Sequence, residues 1–284
     1  MGDARLDGKV ALVTGASRGV GKGIALALGE AGAVVYLTGR TVDGGEPTTS
    51  LPGSVDATAA EIAARGSEAV AIACDHRDDG AVRSVFARIE REHGRLDVLV
   101  NNVWGGYELL HEGRYETFGG PFWEAPLSMW DGMFDAGVRA HFVATSLAVP
   151  LLLRTERGLI VNVSSFAAAN PKEVLPLGVA KAATDHLSRV TAEHLREHAI
   201  AVVSLYPGLV RTEGILKWED FIDLSNSESP WFVGRAVAAL AADEHVMQRT
   251  GQTLVVAELA EEYGFADEDG AQPRSLRPHY EVTA

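Results

Sequence analysis

The sequence predicts an α/β protein built on one doubly wound parallel sheet with helices on both faces. Short β-branched runs such as K-V-A-L-V-T (9–14) and L-D-V-L-V-N (96–101) are apolar throughout rather than alternating, as strands covered on both faces are. Helical stretches long enough for a crossover separate these runs, and right-handed crossovers place helices on both sides of the sheet. A glycine-rich turn, T-G-A-S-R-G-V-G (14–21), stands between the first strand and the first helix.

The elements follow in order. Gly19 to Ala31 reads as the first helix, with Gly32 just past its end. V-V-Y-L-T (34–38) is a strand, followed by a loop rich in Gly, Pro and Thr and a helix from about Val55 to Arg65. A-V-A-I-A-C (69–74) is the third strand, Asp78 to His93 a helix, and 96–101 the fourth strand. Residues 102–127 break the rhythm with several glycines, two prolines and many aromatics. Ser128 has the character of an N-cap for a long helix reaching Leu153. G-L-I-V-N-V-S (158–164), a helix from Gly178 to His198 and A-V-V-S-L-Y (201–206) come next. Ser229-Pro230 opens a helix ending at Ala242, and T-L-V-V (253–256) is the last strand. From Ala260 the chain is polar and reads as an extended tail. About seven strands in this order make the sheet Rossmann-like. Without repeats or a low-complexity linker, residues 1–257 read as one dinucleotide-binding domain carrying substrate loops at about 102–127 and 213–228. Residues 258–284 read as a C-terminal extension.

Bulk properties narrow the function. The formal net charge is −14, with no basic run, which argues against nucleic acid and anionic membranes as partners. The single cysteine, Cys74, excludes an intrachain disulfide and a cysteine zinc cluster, and no metal is expected. No apolar run approaches the roughly 18 residues of a membrane span. The first residues lack a signal peptide's apolar region, and Leu6 stands where a myristoylation signal has Ser or Thr. The expected location is the cytoplasm.

The glycine turn carries the first chemistry. Gly15 permits a tight turn, Gly19 lets the backbone approach a pyrophosphate, and Gly21 lets the helix pack on the strand. Ser17, Arg18 and Val20 complete the cradle, and the helix N-terminus presents free N–H groups to the phosphates. An acid at the end of the second strand would take the ribose 2′-hydroxyl of NAD. Gly39 stands there instead, followed by Arg40, and with Arg18 it can bracket a 2′-phosphate. NADP is the expected cofactor, with NADPH preferred over NADH.

The spacing T-G-x-x-x-G-x-G resembles the short-chain dehydrogenase/reductase family, and further stretches fit it in order. Asp75 matches the acid that contacts adenine, and N-N-V-W (101–104), opening with Asn101, is similar to the family's N-N-A-G. V-S-S (163–165) and G-V-A-K-A-A (178–183) resemble the catalytic serine and lysine segments. Y-P-G-L-V-R-T (206–212) resembles the turn that holds the nicotinamide, which carries cofactor contacts onto Pro207, Gly208, Val210 and Thr212. The likeness runs from about 7 to 257. V-Y-L-T-G-R-T and F-W-E-A-P-L-S-M-W-D are similar to the subgroup called dehydrogenase/reductase member 1. The resemblance implies an NADP(H)-dependent oxidoreductase acting on a carbonyl or alcohol. It also implies a homodimer or homotetramer formed through the two long helices and the last strand.

One position departs. In the family a tyrosine four residues before the lysine protonates the substrate oxygen, a serine holds that oxygen, and the lysine also binds the ribose. Lys181 is present, and Ser165 lies twelve residues before position 177, but position 177 is leucine. The supporting asparagine slot falls on Gly137. Candidate replacement acids are Tyr107, Tyr115 and His141. Trp104, His111, Phe118, Phe122, Trp123, Trp218 and Phe221 suggest an apolar pocket for a flat or bulky ligand. Three readings stand: an oxidoreductase with another acid or a slow rate, a weakly catalytic binding protein on the same frame, and an ordinary enzyme carrying an isolated substitution.

Overall fold

The computed structural model describes residues 5–46, 48–106 and 120–280. Seven parallel strands form one sheet: β1 (Val10–Thr14), β2 (Val34–Gly39), β3 (Ala69–Ala73), β4 (Val98–Asn101), β5 (Gly158–Val163), β6 (Ile200–Tyr206) and β9 (Thr253–Val255). Their spatial order is β3-β2-β1-β4-β5-β6-β9. A separate two-stranded pair, β7 (Leu209–Val210) and β8 (Ser227–Glu228), follows the sixth strand. The chain winds outward from β1 to β3, then returns to place β4 on the other side of β1. The order reverses between β1 and β4, where the carboxyl ends of the strands open a crevice.

The apolar runs are explained by burial on both faces. Along β1, Ala11 and Val13 face one layer while Val10 and Leu12 face the other. The first layer is built by α1 (Gly19–Glu30), α2 (Val55–Ala64), α7 (Pro230–Ala242) and α8 (Val256–Tyr263), through residues such as Ile24, Ile62, Phe232 and Leu259. The second is built by α3 (Asp79–His93), α5 (Ala140–Leu152) and α6 (Leu175–Leu195), through Phe86, Ile89, Leu151 and Leu195. Helices α1 and α7 touch backbone to backbone. A Cβ on Gly23 would stand 2.0 Å from the Pro230 carbonyl oxygen, and one on Gly234 would stand 2.3 Å from that of Gly23.

Two helix starts match their caps. The Asp78 carboxylate accepts from the N–H groups of Gly80 and Ala81, and the Ser229 hydroxyl accepts from Phe232 N–H. Ser128 is not a cap. The helix starts at Leu127, after Pro126, whose φ of −66° already suits a helix entry. The expected single helix from 128 to 153 is three pieces: α4 (Leu127–Met133), a π-helical stretch (Phe134–Arg139) and α5. The helix expected from Gly178 starts earlier, at Leu175, because Pro176 fits its first turn.

The tail is not extended. α8 follows β9 directly, so the expected boundary at 257 falls inside a helix. Phe265 enters the core, and Tyr280 stacks on Phe166 with ring centroids 5.1 Å apart. Asp267, a buried residue of the tail, accepts from Ser229 N–H at 2.8 Å, from the Ser229 hydroxyl, and from Arg211 at 3.0 Å. Arg277 pairs with Glu258 and donates to the Thr253 carbonyl. Removing one side of an ion pair with a buried member, as in Arg211–Asp267, leaves the other uncompensated and costs about 3–5 kcal/mol. Asp267→Ala is expected to lower stability by roughly 3 kcal/mol. The neighbouring exposed Glu268→Ala should stay within about 0.5 kcal/mol of the native protein, both read by urea unfolding.

Candidate active site

A cavity of about 320 Å³ occupies the crevice at the carboxyl ends of the strands. Gly15, Ser17, Arg18, Val20 and Gly21 line it from the first turn. Arg40 and Asp75 line it from the ends of β2 and β3, and Ser165, Lys181 and Leu177 from β5 and α6. Pro207, Gly208 and Val210 close it after β6. The structure thus brings together motifs spread over nearly two hundred residues of sequence.

The cradle has the geometry of an anion site. Gly15 and Gly19 have φ of +69° and +56°, which L side chains rarely adopt. A Cβ on Gly21 would stand 2.3 Å from the Gly15 carbonyl oxygen, so the tight turn needs glycine there. α1 begins without a side-chain cap and without an acid in its first turn. Its first N–H groups are therefore open to an acceptor. Gly19 N–H donates at 2.9 Å to the carboxylate of Glu213, an anionic oxygen standing where a phosphate oxygen would be received. This geometry fits a dinucleotide. Gly19 and Thr212 lie behind the cavity wall: the Thr212 methyl backs Gly19, and the Thr212 hydroxyl accepts from Ile215 N–H at 3.4 Å.

At the β2 end, Arg18 donates to the carbonyls of Pro52 and Gly53 at 3.0 and 2.8 Å, and to the Thr41 hydroxyl at 3.2 Å. Arg40, Thr41, Thr48 and Thr49 line the same end. Burial alone would raise the Asp75 carboxyl, but its hydrogen bonds to Arg77 hold it below the usual carboxylate range. His76 is buried with Nε2 2.8 Å from the Thr38 hydroxyl, and burial pushes it down to about 4.

At the other end, the Ser165 hydroxyl accepts from Ala167 N–H at 3.3 Å, and Lys181 Nζ donates to the Val163 carbonyl at 3.0 Å. Leu177, one helical turn before Lys181, packs with Met129, Met133 and Trp104. Burial lowers the Lys181 ammonium to about 8, against the pull of Asp185 one turn further on. Burial raises Asp185 in turn, opposed by hydrogen bonds from Tyr206, Ser164 and Ser204.

Several expectations are corrected. Asn101 does not reach the cavity: it is fully buried in β4, donating to Thr145 and Asn162 at 3.0 and 2.8 Å. Asn102 lines the cavity instead, because successive strand residues face opposite sides. His141 is buried with Nε2 against the Val103 carbonyl, and burial lowers it to about 3, so it has no acid proton to give near neutral pH. Of the described aromatics, Trp104 lines the cavity, whereas Trp123 and Phe221 are 73% and 83% exposed. Phe122 and Trp218 are exposed too. Tyr107, His111, Tyr115 and Phe118 lie outside the described residues. Gly137 sits in the π-helical stretch with nothing within 4 Å of where a Cβ would be.

Comparison with known proteins decides the family. The family model described as short chain dehydrogenase matches residues 9–221. The chain belongs to the short-chain dehydrogenase/reductase family. It is 39% identical to Dehydrogenase/reductase SDR family member 1 of Mus musculus, over 94% of this chain and 85% of that protein. The Homo sapiens protein of the same name is 38% identical over the same shares. A solved structure of 7α-hydroxysteroid dehydrogenase complexed with NADH and 7-oxo-glycochenodeoxycholic acid superimposes with a TM-score of 0.73 at 25% identity. That match covers 96% of this chain and 98% of that one. The family's members are oxidoreductases that use NAD(P)(H). Among the described residues no helix is long and apolar enough to cross a membrane.

Glu228, which the sequence reading passed over, lies against the Gly208 turn, and burial pushes its carboxyl up to about 8. A carboxyl raised in the folded state contributes stability that is full below its unfolded value near 4.5 and is lost as pH rises through about 8. Glu228→Gln is expected to remove this alkaline loss. Its stability relative to the native protein should be greater at pH 9 than at pH 5 by on the order of 4 kcal/mol in paired denaturant titrations.

Proposed function

We propose that this protein is an NADP(H)-dependent oxidoreductase that interconverts a carbonyl and an alcohol on an apolar small molecule. The observation that carries the reading is the meeting of the glycine cradle with Ser165 and Lys181 in one cavity. Bound reduced nicotinamide supplies a hydride. The chain's own residues bind, orient and exclude water. Gly15, Ser17, Arg18, Gly19, Val20 and Gly21 receive the pyrophosphate, and Asp75 and its backbone border the adenine. Pro207, Gly208, Val210 and Thr212 frame the nicotinamide end. Ser165 donates to the substrate oxygen, and Lys181 holds the ribose. Val163, Trp104, Leu177 and Val210 give the reacting end apolar walls, which favour an apolar substrate.

NADP is favoured because Gly39 offers no carboxylate to a 2′-hydroxyl, while Arg18 and Arg40 line that end with Thr41, Thr48 and Thr49. Two guanidinium groups beside hydroxyls suit a 2′-phosphate. Charge and composition give no support for nucleic acid or membrane partners. Phe142, Leu153 and Val190 present exposed apolar side chains on α5, at its C-terminal end and on α6, which supports pairing of subunits through these helices as a homodimer or homotetramer. Within α5, Ala148, Leu151 and Leu152 lie in the core instead.

Leu177 favours a second reading, a catalytically impaired protein that binds NADP(H) with a ligand or partner. General acid help is worth about 10²–10⁴ in rate. Carbonyl-dependent NADPH oxidation by the native protein and by Leu177→Tyr, against diketones, quinones and ketosteroids, separates the two. Turnover by the native protein supports the enzyme, and turnover only after Leu177→Tyr supports the binding protein. By calorimetry, NADPH is expected to bind at least about tenfold tighter than NADH, a difference of about 1.4 kcal/mol. Arg18→Ala with Arg40→Ala should erase that preference. Equal affinities in the native protein would refute the cofactor assignment.

A further inference from the structure

We propose that Lys181 is itself the proton donor of this site, with Asp185, one helical turn further along α6, as the positioning residue that acts through it; this rests on the oxidoreductase reading above. The argument begins with the wall that holds Ser165. Nζ of Lys181 donates to the carbonyl of Val163, two residues before Ser165, so ammonium and hydroxyl share the mouth of β5. That bond uses one of three N–H groups. Leu177 contributes only hydrocarbon to the same wall, packed among Met129, Met133 and Trp104.

The other titratable groups among the described residues lining the cavity are Arg18, Arg40, Cys74, Asp75 and His76. They follow β1, β2 and β3. In the sheet order β3-β2-β1-β4-β5, the ends of β2 and β3 lie three and four strand spacings from β5, about 14 and 19 Å. Arg18, nearest of these, is held by the loop carbonyls, and a guanidinium does not release its proton.

Lys181 is also suited by its surroundings. Burial brings it to about 8, so it is charged at neutral pH and gives up a proton readily. Three neighbours set this balance. Asp185, one turn along α6, favours the ammonium. Tyr206 on β6 donates to Asp185 Oδ2 and keeps that carboxyl from reaching further. His141 on α5 is held neutral by burial and by Lys181, so it adds no charge.

The step balances. The carbonyl carbon receives a hydride, its π electron pair moves to oxygen, and that oxygen takes a proton from Lys181 Nζ. The carbonyl is reduced, the nicotinamide is oxidised, and the neutral amine regains a proton from water.

The first test needs no turnover. The protein has five lysines, so a side-chain ¹⁵N-lysine spectrum is simple to assign by substitution. The Lys181 resonance is expected to titrate near 8, and Asp185→Asn should move it to lower pH. The second test is the rate of carbonyl reduction against pH, which should fall above about 8, with the fall moved to lower pH in Asp185→Asn. Lys181→Arg keeps a cation but holds its protons. With NADPH saturating, it should lose about 10²-fold or more in kcat. A Lys181 resonance titrating above 10, an alkaline limb unmoved by Asp185→Asn, or Lys181→Arg within tenfold of native kcat would each overturn the proposal. So would a hundredfold loss in Tyr107→Phe or Tyr115→Phe while Lys181→Arg stays active. A native protein that binds NADPH but reduces no carbonyl overturns this proposal and leaves the binding reading. One that binds no NADPH overturns the oxidoreductase reading itself.

Discussion

The side-chain amide of Asn102 joins the two halves of the crevice. It donates to the carbonyls of Thr14 and Gly15, each at 3.0 Å, from the end of β4 to the end of β1. The Thr14 hydroxyl answers from the other side, donating to the Val100 carbonyl and accepting from Asn102 N–H. These strands are neighbours that lead to opposite flanks of the sheet, and their ladder ends at the Val13–Val100 pair. With the amide in place, the glycine turn is registered against β4. The first turn of α1, Trp104 and the cavity wall then follow as one unit. Gly21 tolerates no side chain because that turn is so close.

A second polar system lies deeper. Asn101 of β4 donates to Asn162 of β5, which donates to Ser188 of α6, which accepts from Ser204 of β6. Every member is buried. Such a chain is costly unless its members are partnered, and it fixes the relative positions of three strands and a helix more tightly than apolar contact would. Lys181 and Asp185 belong to that same helix, so the reacting wall inherits the network's rigidity. Asn101 is better understood as part of this support than as a contact to a cofactor.

The sheet was legible because burial on both faces leaves an apolar run that few other structures need, and the crossover helices carried clear caps at Asp78 and Ser229. What escaped the sequence depended on contacts made at a distance. The π-helical stretch around Gly137 has no local composition signal. The choice between Asn101 and Asn102 rests on strand parity, which a doubled residue hides. The docking of the tail depends on Asp267 meeting Ser229 and Arg211, polar residues that look solvent-facing when read locally. In the site, the glycine cradle was read from the turn between strand and helix, and Ser165 and Lys181 from the resemblance to the family; the fold places Gly15, Gly21, Ser165 and Lys181 along one cavity. The exposed positions of Trp123 and Phe221 were not, since an aromatic in a loop carries no indication of which way it turns.

The Asp267 contacts also bear on the segment between Glu213 and Ser227. At one end, the Glu213 carboxylate rests on Gly19 N–H. At the other, Arg211 spans from Asp267 to Ser227, and Ser229 is held by the same carboxylate. A strip of chain fastened at both ends keeps its edges in register with the crevice. The C-terminal residues thus frame that segment: Asp267 fastens Arg211 and Ser229, and the Arg274 carbonyl accepts from the Asn226 side chain.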